Sequence, residues 1–162
     1  MPTEVFTPHG VPTRSRMPRS LTGCAVISND CGRVDPVEAL KACLPDAVAW
    51  LEHGRPERVP PGSLGGADAA LVLADMVDQG LLPDQRGSLI WFAVRVGARH
   101  LADAEHRLGQ IGLAEASGIA GTQSRLVGSL QYPLVTGDDA AAAALLRELA
   151  PTYEALAEAL KT

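Results

Sequence analysis

The stretch at residues 88–111, SLIWFAVRVGARHLADAEHRLGQI, constrains the fold most, because it is the longest uninterrupted helical pattern in the chain. With side chains placed at about 100° per residue, its apolar residues form one narrow stripe that is typical of a core-facing helix. The stripe consists of Ile90, Val94, Gly97, Leu101, Ala104 and Leu108. Trp91, Phe92 and Val96 lie on the other sides of the first turns, so we expect neighbouring elements to enclose this half of the helix.

Composition favours helices throughout. Hydrophobic residues make up 46% of the 162 residues and aromatic residues only 4%. Ala and Leu dominate, while the β-branched and aromatic residues that strands favour are scarce. A chain of this length forms one domain and buries a core without disulfides or metal. The sequence therefore predicts an all-α fold, a bundle of about five helices around a long central helix at residues 88–111.

Other helices carry their own start and stop signals. Asp35, Pro36 and Glu38 have the spacing of an N-cap, a first helical residue and a capping-box partner. We expect Pro45 to break or restart that helix, and Pro151 to kink or restart a C-terminal helix that begins near residue 139. A further helix is predicted over residues 67–79, with these residues facing inward: Ala69, Val72, Leu73, Met76 and Val77.

The N-terminal segment differs from the rest of the chain. Residues 1–20 are rich in proline and show no apolar periodicity, so we expect a flexible or extended segment over residues 1–34 and a single helical domain over residues 35–162. Arg14, Arg16 and Arg19 form a short basic cluster there. It fits a solvated tail better than an arm that contacts phosphates.

Charge and hydropathy limit the classes of partner. The net charge of −5 argues against broad adhesion to nucleic acid or to an anionic membrane. The apolar runs are far shorter than the roughly 20 residues that span a bilayer, and the N-terminus lacks a signal-peptide pattern. We therefore expect a soluble cytoplasmic protein with no membrane partner. Twelve of the 14 basic residues are arginine, which indicates GC-rich coding DNA and favours a bacterial source.

No metal or cofactor site is predicted. Cys24, Cys31 and Cys43 are odd in number, and their spacing matches neither a zinc pair nor a disulfide framework. We expect reduced, partly buried thiols. His100 and His106 do not share a helix face in the way that an i, i+4 ligand pair does.

The polar side of the central helix carries the best candidate for catalysis. Histidine titrates near neutral pH, a nearby carboxylate fixes its tautomer, and two arginines can hold an anionic substrate. The hypothesis is proton transfer on a carboxylate- or phosphate-bearing molecule, and a solvent-exposed charged face explains the same residues without a function. The catalytic candidates are Asp103, His106 and His100, and the substrate-binding candidates are Arg95, Arg99 and Trp91.

One acidic residue departs from this amphipathic pattern. Glu105 projects near Val94 and Ala98, toward the apolar side of the helix. A carboxylate there needs a partner or a raised pKa.

A segment after the central helix resembles the helix-turn-helix of phage-repressor-type DNA-binding proteins. The resemblance is carried by Leu113, Ala114, Gly118 and Ile119, followed by Ser124-Arg125-Leu126. It implies a recognition helix around residues 122–129, with Thr122, Gln123 and Arg125 at the major groove. The alternative is a pair of short packing helices joined at a glycine turn.

Three function classes remain open. The first is a small helical protein that binds a small-molecule ligand or a protein partner, because nothing in the sequence requires more. The second is a small acid–base enzyme or cyclase that uses the Arg/Asp/His patch, and the third is a DNA-binding regulator. A homodimer through a helix face is compatible with an Ala/Leu-rich bundle.

Overall fold

The computed structural model describes residues 35–53 and 60–161. The helices are α1 (Pro36–His53), α2 (Gly66–Asp78), α3 (Pro83–Ser88), a π-helical segment (Leu89–Val94), α4 (Arg95–Gln110), α5 (Ala114–Ser129), α6 (Gln131–Thr136) and α7 (Asp139–Ala159). The described residues contain no strand, so the predicted all-α fold is confirmed. The predictions for residues 1–34 lie outside the described part of the chain.

The predicted central helix is present and begins earlier than expected. α3, the π-helical segment and α4 follow one another without a break over residues 83–110. Pro83 occupies the first turn, where its missing N–H costs nothing, and the Gln85 side chain accepts a hydrogen bond from the Leu82 N–H at 3.0 Å. Gly112 ends the helix with φ +85°, a conformation that favours glycine.

α4 and α5 form an antiparallel pair that approaches closely through small residues. The Ser124 hydroxyl donates to the Ala98 carbonyl at 2.9 Å, and the Ser117 hydroxyl donates to the Glu105 carbonyl at 2.7 Å. Gly121 is buried, and a Cβ added to it would collide with the Glu105 carboxylate. The half-buried Glu105 side chain therefore occupies the space that Gly121 leaves open.

α7 carries more of the buried surface than the central helix does. Eight of its residues are buried, whereas Leu108 is the one buried residue of α4. α7 packs against α1, α2, α5 and α6, while α4 packs mainly against α5. The bundle therefore contains the long central helix as one member of a hairpin, and α7 links the remaining helices.

Two clusters of apolar side chains form the core. One joins α2, the π-helical segment and α6 to the first half of α7, and it includes Ala74, Val77, Val94, Leu134 and Leu146. The other joins α1 to the end of α4, the start of α5 and the end of α7, and it includes Leu44, Leu51, Leu108, Ala120 and Leu156.

α1 and α7 both continue through an internal proline. Neither Pro45 nor Pro151 ends its helix, so the predicted break or restart at Pro45 is wrong, and α7 does not restart at Pro151. Beside Pro151, the Thr152 hydroxyl donates to the Leu149 carbonyl at 2.5 Å and accepts from the Gln123 side-chain amide at 3.0 Å. This hydroxyl ties α5 to α7 where the proline removes a backbone donor.

An ion pair holds the start of α7 to the start of the central helix. Arg86 donates two hydrogen bonds to the Asp139 carboxylate, at 2.7 and 3.0 Å, and a third to the Leu134 carbonyl at 3.2 Å. The hydrogen bonds from Arg86 hold the pKa of Asp139 below its ordinary value. Asp138 precedes α7 as its N-cap and accepts from the Ala141 N–H.

The prediction for the buried face of α2 is partly wrong. Val72 and Met76 are exposed, whereas Ala70, Ala74 and Val77 are buried. The physical reason is that α2 packs against the alanine-rich helix α7. The small residues of α2 form this contact because they allow the two helices to approach closely.

The prediction that Trp91, Phe92 and Val96 are enclosed is wrong. Trp91 is 61% exposed and Phe92 is 75% exposed. α5 and α6 pack beside this helix, but no described element covers the side from which Phe92 projects. Cys43 is likewise exposed, although a partly buried thiol was expected.

Within the described residues, none of the helices has both the length and the apolar character that are needed to cross a membrane.

Candidate functional site

The predicted catalytic patch lies on the open face of the central helix. Arg99 pairs with Asp103 at 3.2 Å, and their side chains are 77% and 60% exposed. The Arg95 guanidinium lies 4.5 Å from the centre of the Trp91 ring. The structure thus pairs four of the six candidate side chains, but both pairs remain in contact with solvent.

The two histidines of the patch are also exposed. His106 lies 3.0 Å from the Gln110 side chain and lines a shallow groove together with Ser117 of α5. His100 is exposed on the same helix. Catalytic sites usually combine residues from several elements around a pocket, whereas these side chains come from a single helix. Their catalytic and substrate-binding roles stay predictions.

The structure contradicts the helix-turn-helix geometry. α5 is one continuous helix over Ala114–Ser129, so neither the expected turn near Gly118 nor a pair of short helices occurs. Gln123, which the resemblance placed at the major groove, is fully buried between α5 and α7. Gly121 is tolerated inside the helix because the packing against α4 needs a small residue there, as its contact with Glu105 shows, whereas a Cβ at Gly118 would meet no atom within 4 Å.

A groove with an almost wholly apolar lining lies between helices of the described bundle. Its volume is about 210 Å³. We call it the apolar groove, and it is lined by residues of α2, the π-helical segment, α4, α5 and α7: Gly66, Ala69, Ala70, Leu73, Ala93, Val94, Gly97, Leu101, Val127, Leu146, Leu149 and Tyr153.

The arrangement of the helices explains why this groove exists. α2 packs on α7 and α4 packs on α5, while α5 and α7 pack on each other. α2 and the central helix therefore stand side by side above a floor made by the other two helices. Val127, Leu146 and Leu149 are buried in the floor, and Val94 is buried on the central helix. Small residues such as Gly97 leave the space between them unfilled.

Tyr153 supplies the only polar side chain among the residues that line the groove. Burial raises the pKa of its phenol, so the hydroxyl stays protonated at neutral pH. A neutral phenol can donate one hydrogen bond and accept others. The groove thus offers an apolar surface with one hydrogen-bonding group, which is the usual character of a site for a small apolar molecule.

A second, larger cavity also has Tyr153 in its lining. It has a volume of about 580 Å³ and lies between the end of α1, the residues before α2 and the end of α7. Its carboxylates are Glu52, Asp68, Glu154 and Glu158. Lys161 pairs with Glu52 at 2.5 Å and with Glu158 at 2.6 Å. Its hydrogen bond with Glu158 contributes most to raising its pKa, and the one with Glu52 adds to the effect.

These carboxylates do not form a metal centre. The described residues contain no group of three or more His, Cys, Asp or Glu side chains that could hold a metal ion. On α2, Asp75 and Asp78 instead bind Arg147 of α7, at 2.8 and 2.6 Å. These ion pairs join α2 to α7.

Sequence reasoning missed the apolar groove. Gly97 in the apolar stripe was the feature that could have indicated it. A glycine at an inward-facing position has no side chain, so it leaves space in the core unfilled. The spacing between α2 and the central helix, which turns that missing volume into a groove, is set by contacts with other helices.

Comparison with known proteins gives a family. The sequence model of the YobF C-terminal domain matches residues 60–161, which is more than half of the chain. The chain belongs to the YobF C-terminal domain family. The match covers α2 through α7, and therefore every helix that lines the apolar groove, whereas α1 precedes it. No curated protein and no solved structure matches the chain.

Proposed function

We propose that this YobF C-terminal domain protein binds a small, neutral, largely apolar molecule in the apolar groove. The observation that carries the proposal is a groove of about 210 Å³ with an apolar lining and one polar side chain, Tyr153. An apolar cavity of about 150 Å³ is sufficient to hold benzene. The groove therefore suits a ring-sized molecule with one substituent that accepts or donates a hydrogen bond.

Two other functions have weaker support. An acid–base enzyme would use Asp103, His100 and His106 with Arg95, Arg99 and Trp91, and those side chains share one exposed helix face. A DNA-binding regulator would need a recognition helix, and residues 114–129 do not provide the turn that precedes one. The cytoplasmic location and the bacterial source stay predictions.

The test is a titration of the full chain with benzyl alcohol and with toluene, followed by thermal unfolding and by amide chemical shifts. A ligand that binds only the folded state raises Tm, and the stabilisation is about 2.7 kcal/mol at a concentration 100 times Kd. We expect both probes to raise Tm and to shift the amide signals of Ala69 and Gly97. Absence of both effects for both probes would contradict the proposal.

Three variants locate the binding. Ala69→Leu places a larger side chain at the rim of the groove and should abolish the effect, while the matched control Ala144→Leu, at an exposed position of α7, should preserve it. Tyr153→Phe should weaken the binding of benzyl alcohol more than that of toluene, because only the alcohol loses a hydrogen bond. Unchanged binding by Ala69→Leu would place the probes elsewhere.

A further inference from the structure

Five apolar side chains lie uncovered on two neighbouring segments of the bundle. Trp91, Phe92 and Val96 belong to the π-helical segment and the start of α4, while Tyr132 and Val135 belong to α6. We call these five residues the aromatic face. α6 packs against the π-helical segment, so the two groups lie on adjacent elements.

The exposure of the aromatic face is unusually high. Tyr132 is 78% exposed and Val135 is 64% exposed, and these values are similar to those of Trp91 and Phe92. On the opposite sides of the same two segments, Val94 and Leu134 are fully buried in the core. Packing within the described bundle therefore buries one side of each segment. The opposite side, which carries the aromatic face, stays exposed within the described part of the chain.

The area of the face matches the requirement of a dimer. A buried aromatic side chain contributes about 150–250 Å². With the exposed fractions of the five side chains, the face offers roughly 600 Å² per copy, which is as large as the largest apolar patch on a typical monomer. Two such faces bury roughly 1,200 Å² in total, and this is the lower limit for a stable protein interface.

The charges near the face are compatible with pairing of identical copies. Arg95 lies over the Trp91 ring, and Arg99 is paired with Asp103. No carboxylate belongs to the aromatic face itself. If the two copies meet with antiparallel helices, Phe92 of one copy lies near Val96 of the other, and the two Arg99 side chains lie at opposite ends of the contact.

We propose that the aromatic face is the interface of a homodimer in which two copies of this chain meet through a two-fold axis. The interface has aromatic anchors at its centre and arginines at its rim, which is the composition that protein interfaces favour. The inference is independent of the ligand proposed above, because the apolar groove lies on the side of the central helix that faces α2.

The test is sedimentation equilibrium of the full chain over a range of concentrations. We expect a species of twice the chain mass for the natural sequence. Phe92→Glu and Tyr132→Glu each place a charge in the contact and should raise the dimer Kd by at least about 30-fold, as expected for the loss of a central aromatic anchor. Leu71→Glu is the matched control, because Leu71 is an exposed apolar residue of α2 outside the face, and this variant should remain a dimer.

Circular dichroism of the same samples separates loss of pairing from loss of folding. The substituted positions are exposed in one copy, so we expect both Glu variants to keep their helical signal as monomers. A natural chain that remains monomeric at every concentration would overturn the proposal. So would a dimer that persists in both Glu variants, or one that Leu71→Glu disrupts equally.

Discussion

At the scale of single residues, the most consequential polar contact is the pair formed by Arg86 and Asp139. It joins the first turn of α7 to α3, and the two side chains are 21% and 29% exposed. Arg86 also binds the Leu134 carbonyl near the end of α6. Two planar hydrogen bonds and partial shielding from water make this pair stronger than the exposed pair of Arg99 with Asp103.

We therefore expect Asp139→Asn to lower Tm by several degrees at neutral pH. The hydrogen bonds from Arg86 lower the pKa of Asp139 in the folded chain. Its contribution to stability is thus fully present above the ordinary aspartate pKa of about 3.9 and is lost as the pH falls through the lower folded pKa. Thermal melts of both chains between pH 7 and pH 2 check this, because the Tm difference should disappear at the acid end.

Asp103→Asn is the control for that measurement. Its carboxylate takes part in an ion pair that is largely exposed to solvent, so Tm should change little at any pH. A Tm of Asp139→Asn equal to that of the natural chain at neutral pH would show that the Arg86 pair does not hold the helices together.

At the scale of elements, the α4 and α5 hairpin depends on small residues at its crossing points. Gly97 faces the Val127 side chain, Gly109 faces Ser117 and Gly128 faces Ala98. Gly121 is the tightest of these positions because the Glu105 carboxylate lies directly against it. The two helices therefore approach each other closely because glycine has no side chain at these crossing points.

We expect Gly121→Ala to raise the free energy of unfolding by less than the roughly 1 kcal/mol that the helix propensity of alanine supplies, because the new methyl group meets the Glu105 carboxylate. The carboxylate is the end of a flexible side chain, so it can turn aside at a modest cost. Glu105→Ala should restore the full gain, because it removes the group that the new methyl group meets. Urea unfolding of the two single variants and the double variant measures the coupling.

Gly118→Ala is the matched control, since a Cβ at Gly118 meets no atom within 4 Å. It should raise stability through helix propensity alone. A smaller stability gain for Gly121→Ala than for Gly118→Ala that persists in the double variant would show that Glu105 is not the colliding group.

At the scale of the whole molecule, α1 lies outside the family match but contributes to the core. Leu44, Val48 and Leu51 pack against the cluster that contains Leu156 and Leu160 at the end of α7. The match begins at residue 60, after α1 has ended. We therefore propose that the folding unit includes α1 and begins near residue 35 rather than at the start of the match.

We expect a chain that begins at residue 35 to keep its cooperative unfolding, with a Tm within a few degrees of the full chain. A chain that begins at residue 60 exposes the apolar surface beneath α1. Its free energy of unfolding should fall by about 3 kcal/mol, and its Tm by roughly 10 °C. Calorimetry of the three chains checks both expectations. Equal Tm values for the chains that begin at residues 35 and 60 would mean that α1 does not belong to the folding unit.

The sequence by itself determined the helical character and some of the helix ends. The period of apolar residues in the central helix, Gly112 and Gly137 at helix ends and Asp138 at a helix start are local signals, because each depends on backbone geometry within a few residues. The effect of the prolines at 45 and 151 could not be predicted from local sequence. A proline carries a local energetic penalty, and it breaks a helix only where packing with other helices does not outweigh that penalty.

Only the tertiary structure decided which faces are covered. Val72, Met76, Trp91 and Phe92 have the hydropathy of core residues, yet α2 contacts α7 through alanines, and no described element lies over Phe92. The exposed position of Asp103 and His106, the burial of Gln123 and the apolar groove follow from the same cause. Helix packing depends on contacts between residues that are distant in sequence, and the periodicity of a single helix contains no information about its neighbours.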